Sequence, residues 1–345
     1  MHIALAGCGQ LSRMLAIAGI PLGLRFSFIQ TDPLEDTRCI DGLGKIVLWQ
    51  PASDISRLYH ELGEPVVVAT EKEQIDCELL DGLQSHCTVH PNPSAFATLQ
   101  HRNREKQLLD TLRIPTAPYL YATSARQATA EIGLPVVVKS CRNGYDGRNQ
   151  WVLRCEQDTA EFDAVHSNSD HIIERWIPFD REISQLSVRD GEGNIRHYPI
   201  TANVHERGIL RQSLAPAEDL HPASAATARE YASRLMTHMG YVGVMAMERF
   251  VVGDQLLVNE IAPRVHNSGH WTQAGCETSQ FENHIRAVAQ LPLGSTDAVG
   301  FARMTNFIGE VPAADEVLTR PNAHLHYYDK KPKPGRKVGH VTEWS

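Results

Sequence analysis

Residues 246–260 read Ala-Met-Glu-Arg-Phe-Val-Val-Gly-Asp-Gln-Leu-Leu-Val-Asn-Glu, and they constrain the fold more than any other stretch. Two apolar runs flank Gly253-Asp254, a dipeptide that favours a hairpin turn. Glu248 and Glu260 lie inside those runs, where a solvated charge is out of place. A three-residue loop from Gly253 to Gln255 would set Glu248 directly opposite Glu260, and like charges facing each other across a ladder repel. A two-residue loop would set Asn259 opposite Glu248 instead. Either register gathers two carboxylates and an amide at one sheet end, a set of oxygens suited to a hard divalent cation. The plain alternative is an edge hairpin with its charges in water. The stretch then runs on through Arg264, His266, Asn267, Ser268, Gly269, His270 and Trp271.

With 345 residues, 42% hydrophobic and 21% charged, the chain has the composition of an ordinary globular protein. At about 100–200 residues per domain it has room for two or three. A net charge of -8 argues against a nucleic-acid surface spread over the molecule and leaves room for a local basic phosphate pocket. The seven cysteines include no Cys-x-x-Cys pair, so neither a disulfide framework nor a structural zinc site is expected, and a reducing compartment fits best. No apolar run approaches the roughly 18–20 residues of a membrane span. No basic leader with a long apolar core opens the chain, so no secretion signal is read.

In residues 1–97, Ile3–Gly7 reads as a buried strand, Gly7-Cys8-Gly9 as a tight turn and Gln10–Gly19 as a helix. Further strands are expected at Leu24–Ile29 and Pro65–Ala69, with a helix at Asp54–Leu62 between them. Strand–helix–strand order argues for a parallel sheet covered by helices. The Gly-x-Gly turn points backbone N–H groups from a helix N-terminus, a natural anion seat. A dinucleotide fingerprint would want glycine at position 12, where Ser12 stands. NAD, a phosphate-bearing metabolite and a plain turn therefore all stay open. Thr70-Glu71 follows a strand, where open α/β sheets bind ligands; a helix cap with a first-turn acid is the structural alternative.

From about residue 98 to 296, Ser94 reads as the N-cap of a helix running through Leu109 with Arg102, Arg104 and Lys106 on it. Leu134–Lys139 reads as a buried strand closed by a lysine, which suits a phosphate as a point charge or snorkels to the surface. Arg142–Gln150 follows, and its Gly144 and Gly147 allow backbone N–H groups to fold over phosphates. His171–Ile177 is a strand leading outward, and Glu182, His205 and Arg211 fall on or beside later strands. A lone histidine such as His205 is more often structural than a ligand. A helix at Pro222–Met239, capped by Gly240, leads into the hairpin. In residues 297–345, Arg303–Ile308 and Ala323–Tyr328 alternate like strands. His324 and His326 share a face, which leaves a metal site open, but paired strand histidines without a third ligand are more often plain surface. Lys330–Lys337 is a basic turn.

Lys139, the loop Gly144–Gln150, the pair Glu248 and Glu260, and Asn259–Trp271 together resemble the ATP-grasp superfamily. Gly9-Gln10-Leu11, Arg13-Met14-Leu15, Gly144–Arg148, Gly240–Glu248, Asn259–Thr272 and Pro334–His340 are similar to one family within it, the 5-(carboxyamino)imidazole ribonucleotide synthases of purine synthesis. The resemblance covers nearly the whole chain, and the run Pro263–Thr272 is highly specific. It implies an α/β and α+β architecture: a Rossmann-like pre-ATP-grasp domain at 1–97, an ATP-grasp domain at 98–296 and a small C-terminal β element at 297–345. It implies that ATP phosphorylates bicarbonate to carboxyphosphate and that 5-aminoimidazole ribonucleotide is then carboxylated on its exocyclic amine, with ADP and phosphate as by-products. Carboxyphosphate is short-lived in water, which gives loop closure a clear use.

By the same resemblance Glu248 and Glu260 hold Mg²⁺, with Asn259 helping. Arg102 and Lys139 contact the ATP phosphates, covered by Gly144, Tyr145, Asp146, Gly147, Arg148, Asn149 and Gln150. Glu174, Arg175, Trp176, Ile177 and Glu182 hold the adenosine, with His205 nearby. The ribonucleotide falls to Gln10, Leu11, Glu71, Tyr145, Arg148, Arg264, His266, Asn267, Ser268, Lys330 and Arg336. Catalysis falls to Arg264, His266, Lys330, Tyr145 and Arg148, the first two set against bicarbonate or carboxyphosphate. A cytoplasmic homodimer with no nucleic-acid or membrane partner is implied as well. The chain departs from the family at Ser12, Asn143 and Asn149, where glycine is usual. It also ends at Ser345, soon after Gly339-His340, so the last element is expected to be short. Three rivals remain: another ATP-grasp ligase such as the formate-dependent glycinamide ribonucleotide transformylase, a nicotinamide oxidoreductase built on Gly7-x-Gly9, and a nucleotide-binding module without turnover.

Overall fold

The apolar runs of the first hundred residues assemble into a five-stranded parallel sheet in a computed structural model that describes residues 1–51, 53–144, 149–166 and 169–345. Its strands lie in the order Gly44–Leu48, Arg25–Gln30, His2–Ala6, Val67–Thr70 and Thr88–Val89. The edge strand Gly44–Leu48 lies outside the strands expected from the sequence, although Ile46-Val47-Leu48 is apolar; only Val47 of its residues is buried. The helix Gln10–Gly19 buries Leu11, Met14 and Leu15 in a core shared with Phe281, Ile285 and Val244. The N-terminal unit is thereby locked against the strand that carries Glu248.

The helix expected from Ser94 through Leu109 is two helices, Pro93–Leu99 and Arg102–Thr111. Asn92, not Ser94, is the cap: its side chain accepts the Ala95 N–H at 3.0 Å. Pro93 takes the first helical position, where a missing N–H costs nothing. At the break His101 is extended, and the Arg102 N–H turns to the Cys141 carbonyl at 3.0 Å. This break aims Arg102 at the strand Val136–Ser140.

That strand belongs to a four-stranded antiparallel sheet ordered Tyr119–Ala122, His171–Arg175, Val136–Ser140 and Gln150–Leu153. The helices Ala125–Ile132 and Glu156–His166 pack with it around Val136, Val138 and Ile173. Facing it is the large antiparallel sheet, ordered Gln255–Ala262, Gly243–Val252, Arg181–Arg189, Thr201–Glu206, Ile209–Ala215, Ala302–Ile308, Lys337–Trp344 and Ala323–Tyr327. The last three strands of the chain extend this sheet directly, through the pairing of Ser213 with Met304.

The hairpin turn is the two residues Gly253-Asp254, since Val252 pairs with Gln255. By count alone this would bring Asn259 opposite Glu248. A bulge intervenes: Arg249 pairs with Val258 and Glu248 with Glu260, so Asn259 is the extra residue. Bulges bend a strand and re-aim side chains, and they recur beside active sites. His326 is not plain surface either. It stacks on His340 across the ladder at 4.7 Å, while His324 stays exposed and accepts the Trp344 indole N–H at 3.1 Å.

Candidate active site

Facing each other across the bulge, Glu248 and Glu260 form the acidic floor of a cleft between the two antiparallel sheets. Glu248 Oε1 is buried without a hydrogen-bond partner. Burial, joined by Glu260 and Glu182 and opposed by His205 and Lys337, pushes the Glu248 carboxyl up to about 7. An orphaned carboxylate oxygen beside a second carboxylate fits a hard divalent cation. Among the described residues, no group of three or more His, Cys, Asp or Glu could hold a metal by itself. A cation here would draw its remaining oxygens from phosphate and water, the usual habit of Mg²⁺.

Lys139 reaches both sides of this cleft. Its Nζ donates to Asn259 Oδ1 at 2.8 Å and pairs with Glu174 Oε2 at 2.6 Å. Glu174 is shared with Lys106, 2.5 Å away on its other oxygen. Burial works to raise the Glu174 carboxyl, but the two ammonium groups override it and hold it at about 2. Arg102 spans Glu260 at 3.5 Å and the Gly144 carbonyl at 3.4 Å. Tyr145, Asp146, Gly147 and Arg148 lie outside the described residues. At the loop's base Asn143 and Asn149 adopt φ of 61° and 54°, the left-handed region that asparagine tolerates, and Asn149 Nδ2 donates to the Asn143 carbonyl at 2.9 Å. Gln150 is exposed at the start of the next strand.

Among the residues expected to hold the adenosine, Glu182 pairs with His205 Nδ1 at 3.1 Å. Arg175 turns its guanidinium away to the Ile132 carbonyl at 3.2 Å. Trp176 stands 39% exposed, with Arg154 over its ring, and the half-buried Ile177 follows.

The segment after the hairpin supplies the basic side of the cleft. Arg264 is held between Glu73 Oε1 at 2.5 Å and the Val265 carbonyl at 2.8 Å. His266 Nδ1 lies 3.7 Å from Glu248 Oε1 and accepts the Ser268 backbone N–H at 3.3 Å. A backbone N–H can only donate, so Nδ1 is the lone-pair side and the ring proton sits on Nε2. Burial, with Arg264 and Lys337 beside it, keeps the ring well below the ordinary histidine range and therefore neutral. Asn267 exchanges hydrogen bonds with Asn306. At the far end, Lys330 bonds the Gln10 side-chain oxygen, and Arg336 lies 3.7 Å from Asp36. Leu11 offers only backbone here, since its side chain is in the core. Glu71 gives both oxygens to the glycine turn, receiving Gly9 N–H at 2.5 Å and Ser12 N–H at 2.8 Å.

Glu73 and Glu105 line this cleft, and the sequence alone does not single them out as site residues; Lys106, on the basic helix face that could meet phosphate or stay solvated, supports the cleft through Glu174. One local signal exists: Glu105, Lys106 and Leu109 form the buried face of their helix, an odd place for two charges.

Two acidic strand residues and a strand lysine between two antiparallel sheets define an ATP-grasp protein. The ATP-grasp domain description matches residues 107–281, the ribonucleotide synthetase preATP-grasp domain matches 1–100, and the phosphoribosylaminoimidazole carboxylase C-terminal domain matches 302–345. The N5-carboxyaminoimidazole ribonucleotide synthase of Pseudomonas aeruginosa is 43% identical over 99% of this chain and 94% of its own length. The crystal structure of N5-carboxyaminoimidazole ribonucleotide synthetase from Thermus thermophilus superposes with a TM-score of 0.92 at 42% identity, covering 99% of this chain and 93% of that one. The Aspergillus clavatus enzyme, solved with ADP and 5-aminoimidazole ribonucleotide, gives 0.90 at 27% identity, covering 100% and 93%. The chain belongs to the N5-carboxyaminoimidazole ribonucleotide synthase family.

Proposed function

We propose that the protein carboxylates the exocyclic amine of 5-aminoimidazole ribonucleotide, using ATP and bicarbonate and releasing ADP and phosphate. Family membership supports the overall reaction. The single observation that carries the chemistry is the pairing of Glu248 with Glu260 between Lys139 on one side and His266 on the other. Phosphoryl transfer is mainly positioning and charge neutralisation. Glu248 and Glu260 would hold Mg²⁺, which when bound supplies charge neutralisation at the phosphates. Arg102 and Lys139 hold the phosphate oxygens, and the loop from Gly144 to Gln150 excludes water above them. Glu174–Ile177 and Glu182 seat the adenosine.

Arg264 and neutral His266 orient bicarbonate and then carboxyphosphate, Arg264 by paired N–H groups and His266 through its Nε2–H. Gln10, Asn267, Ser268, Lys330 and Arg336 hold the ribonucleotide so that its amine faces that reactive carbon. In this reading the working unit is a cytoplasmic homodimer, divided into residues 1–97, 98–296 and 297–345. The free cysteines agree with a reducing compartment, and no helix among the described residues is long and apolar enough to cross a membrane.

The test is ADP release with and without bicarbonate and the ribonucleotide. Release that depends on formate instead would move the chain to the transformylase reading. Arg264→Ala should cut turnover on the order of 100-fold while leaving ATP affinity nearly intact. Near-normal carboxylation by that variant removes the role given to Arg264.

A further inference from the structure

The segment Arg264–His270 brings His266 Nδ1 to 3.7 Å from Glu248 Oε1, yet it lies on no strand. Its only regular structure is the short turn Asn267–Gly269. Loops are ordinarily the mobile part of a fold, but this one is gripped from two sides by buried amides.

Gln280 opens the helix Gln280–Val288 and is wholly buried. Its Oε1 accepts the His266 N–H at 2.9 Å, and its Nε2 donates to the His266 carbonyl at 2.7 Å. The same Nε2 lies 3.0 Å from His270 Nδ1. One side chain thus imitates a strand pairing with residue 266, and its amide cannot flip without facing donor to donor. From the other side comes Asn306, on the strand Ala302–Ile308 and 5% exposed. Its Nδ2 donates to Asn267 Oδ1 at 2.7 Å and to the Leu210 carbonyl at 3.0 Å. Its Oδ1 accepts Asn267 Nδ2 at 3.0 Å. The Leu210 carbonyl can only accept there, so Asn306 is fixed and in turn fixes Asn267. Gly269 permits the close fit: a Cβ at that position would lie 2.7 Å from Gln280 Oε1 and 2.1 Å from Leu186 Cδ2.

We propose that Gln280 and Asn306 are positioning residues that hold His266 and Asn267 against the Glu248 end of the cleft and so keep ATP cleavage coupled to carboxylation. This rests on the function proposed above. Displacing a reacting group by about 1 Å costs roughly 100-fold in rate. A loosened segment also lets water compete for the activated carboxyl group, which excluded water would otherwise spare. The signature is then ADP formed without carboxylated product, which a merely structural defect does not produce.

The experiment uses the full chain carrying Gln280→Met or Asn306→Leu, substitutions close to the original shapes that remove the hydrogen bonds. ADP and carboxylated ribonucleotide are measured in the same reaction, beside ADP affinity and amide hydrogen exchange over residues 266–270. The expected result is carboxylation slowed about 10- to 100-fold, more than one ADP per product, ADP affinity within a few-fold, and faster exchange at the His266 N–H. One ADP per product at near-normal rate overturns the proposal. So does a parallel fall of rate and ADP affinity with coupling intact, which assigns the amides to the scaffold. If Gln280→Met fails to fold, Asn306→Leu decides by the same ratio, and failure of both to fold also overturns it. Hydrogen exchange needs no turnover: a wild-type chain without bicarbonate-dependent ADP release sinks the functional reading, whereas unchanged exchange in the variants sinks the clamp.

Discussion

Glu71 turns its carboxylate onto the first turn of the helix Gln10–Gly19 and receives the Ser12 backbone N–H at 2.8 Å. Its other oxygen takes the Gly9 N–H at 2.5 Å. The anion seat expected at Gly7-Cys8-Gly9 is filled by the chain's own acid, which leaves a dinucleotide phosphate nothing to bind there. The cap belongs to a helix far away in sequence, not to the one after Glu71. Ser12 turns its hydroxyl to the Gly7 carbonyl at 2.9 Å.

Glu71→Gln keeps the shape but points an amide N–H₂ at one of two backbone donors. We expect a loss of about 1–3 kcal/mol, the penalty of an unsatisfied buried donor, read as a lower midpoint in urea. An unchanged midpoint would show that the cap contributes nothing.

Glu174 between Lys106 and Lys139 ties the helix Arg102–Thr111 to the strand Val136–Ser140. Removing one partner of such a buried group leaves uncompensated charge, so Glu174→Gln should destabilise by roughly 3–5 kcal/mol. The folded carboxyl titrates at about 2, below its ordinary value. Its stabilisation is therefore full above the unfolded value of about 4.3 and is lost as pH falls toward 2. Wild type and variant should differ most at pH 7, by roughly half as much at pH 3, and converge only below about pH 2; a gap that is the same at pH 7 and at pH 2 contradicts the assignment.

Glu105 behaves in the opposite sense. Burial pushes its carboxyl up to about 8, and its Oε1 has no hydrogen-bond partner. A raised acid binds its proton more tightly when folded, so stability falls as pH rises from about 4.3 to 8. Glu105→Gln removes that slope, and the variant should gain stability over wild type on the order of 3 kcal/mol by pH 8. Parallel stability curves across this window would refute it.

Gly269→Ala inserts a Cβ against Leu186 and Gln280. Overpacking of this kind costs about 1–3 kcal/mol. Because the intrusion pushes on the amide that grips His266, turnover should drop more than stability predicts, with surplus ADP per product. Thermal melting and product ratios measured together separate the two effects.

Much of this architecture is legible in local pattern. The strands around Gly253-Asp254, the lysine closing an apolar run and the glycine turn before the helix Gln10–Gly19 all follow from periodicity and punctuation within a few residues. Glu248 and Glu260 stand out because charge inside an apolar strand conflicts with its surroundings. The edge strand Gly44–Leu48 offers only the short apolar run Ile46–Trp49, which periodicity alone does not assign to a strand. Ser94 and Asn92 both suit a cap, and the choice between them depends on where Pro93 has to sit.

The sequence by itself determined most of the segments that form strands or helices and which charges stand out inside apolar runs, because those depend on neighbours along the chain. Only the tertiary structure decided the pairings. The bulge at Asn259 that sets Glu248 opposite Glu260, the capture of the glycine turn by Glu71, the grip of Glu73 on Arg264, and the amides of Gln280 and Asn306 all join residues distant in sequence. A hydrogen bond or ion pair needs its partner within about 3 Å, and which distant side chain arrives there is fixed by how the sheets and helices pack, not by any local spacing.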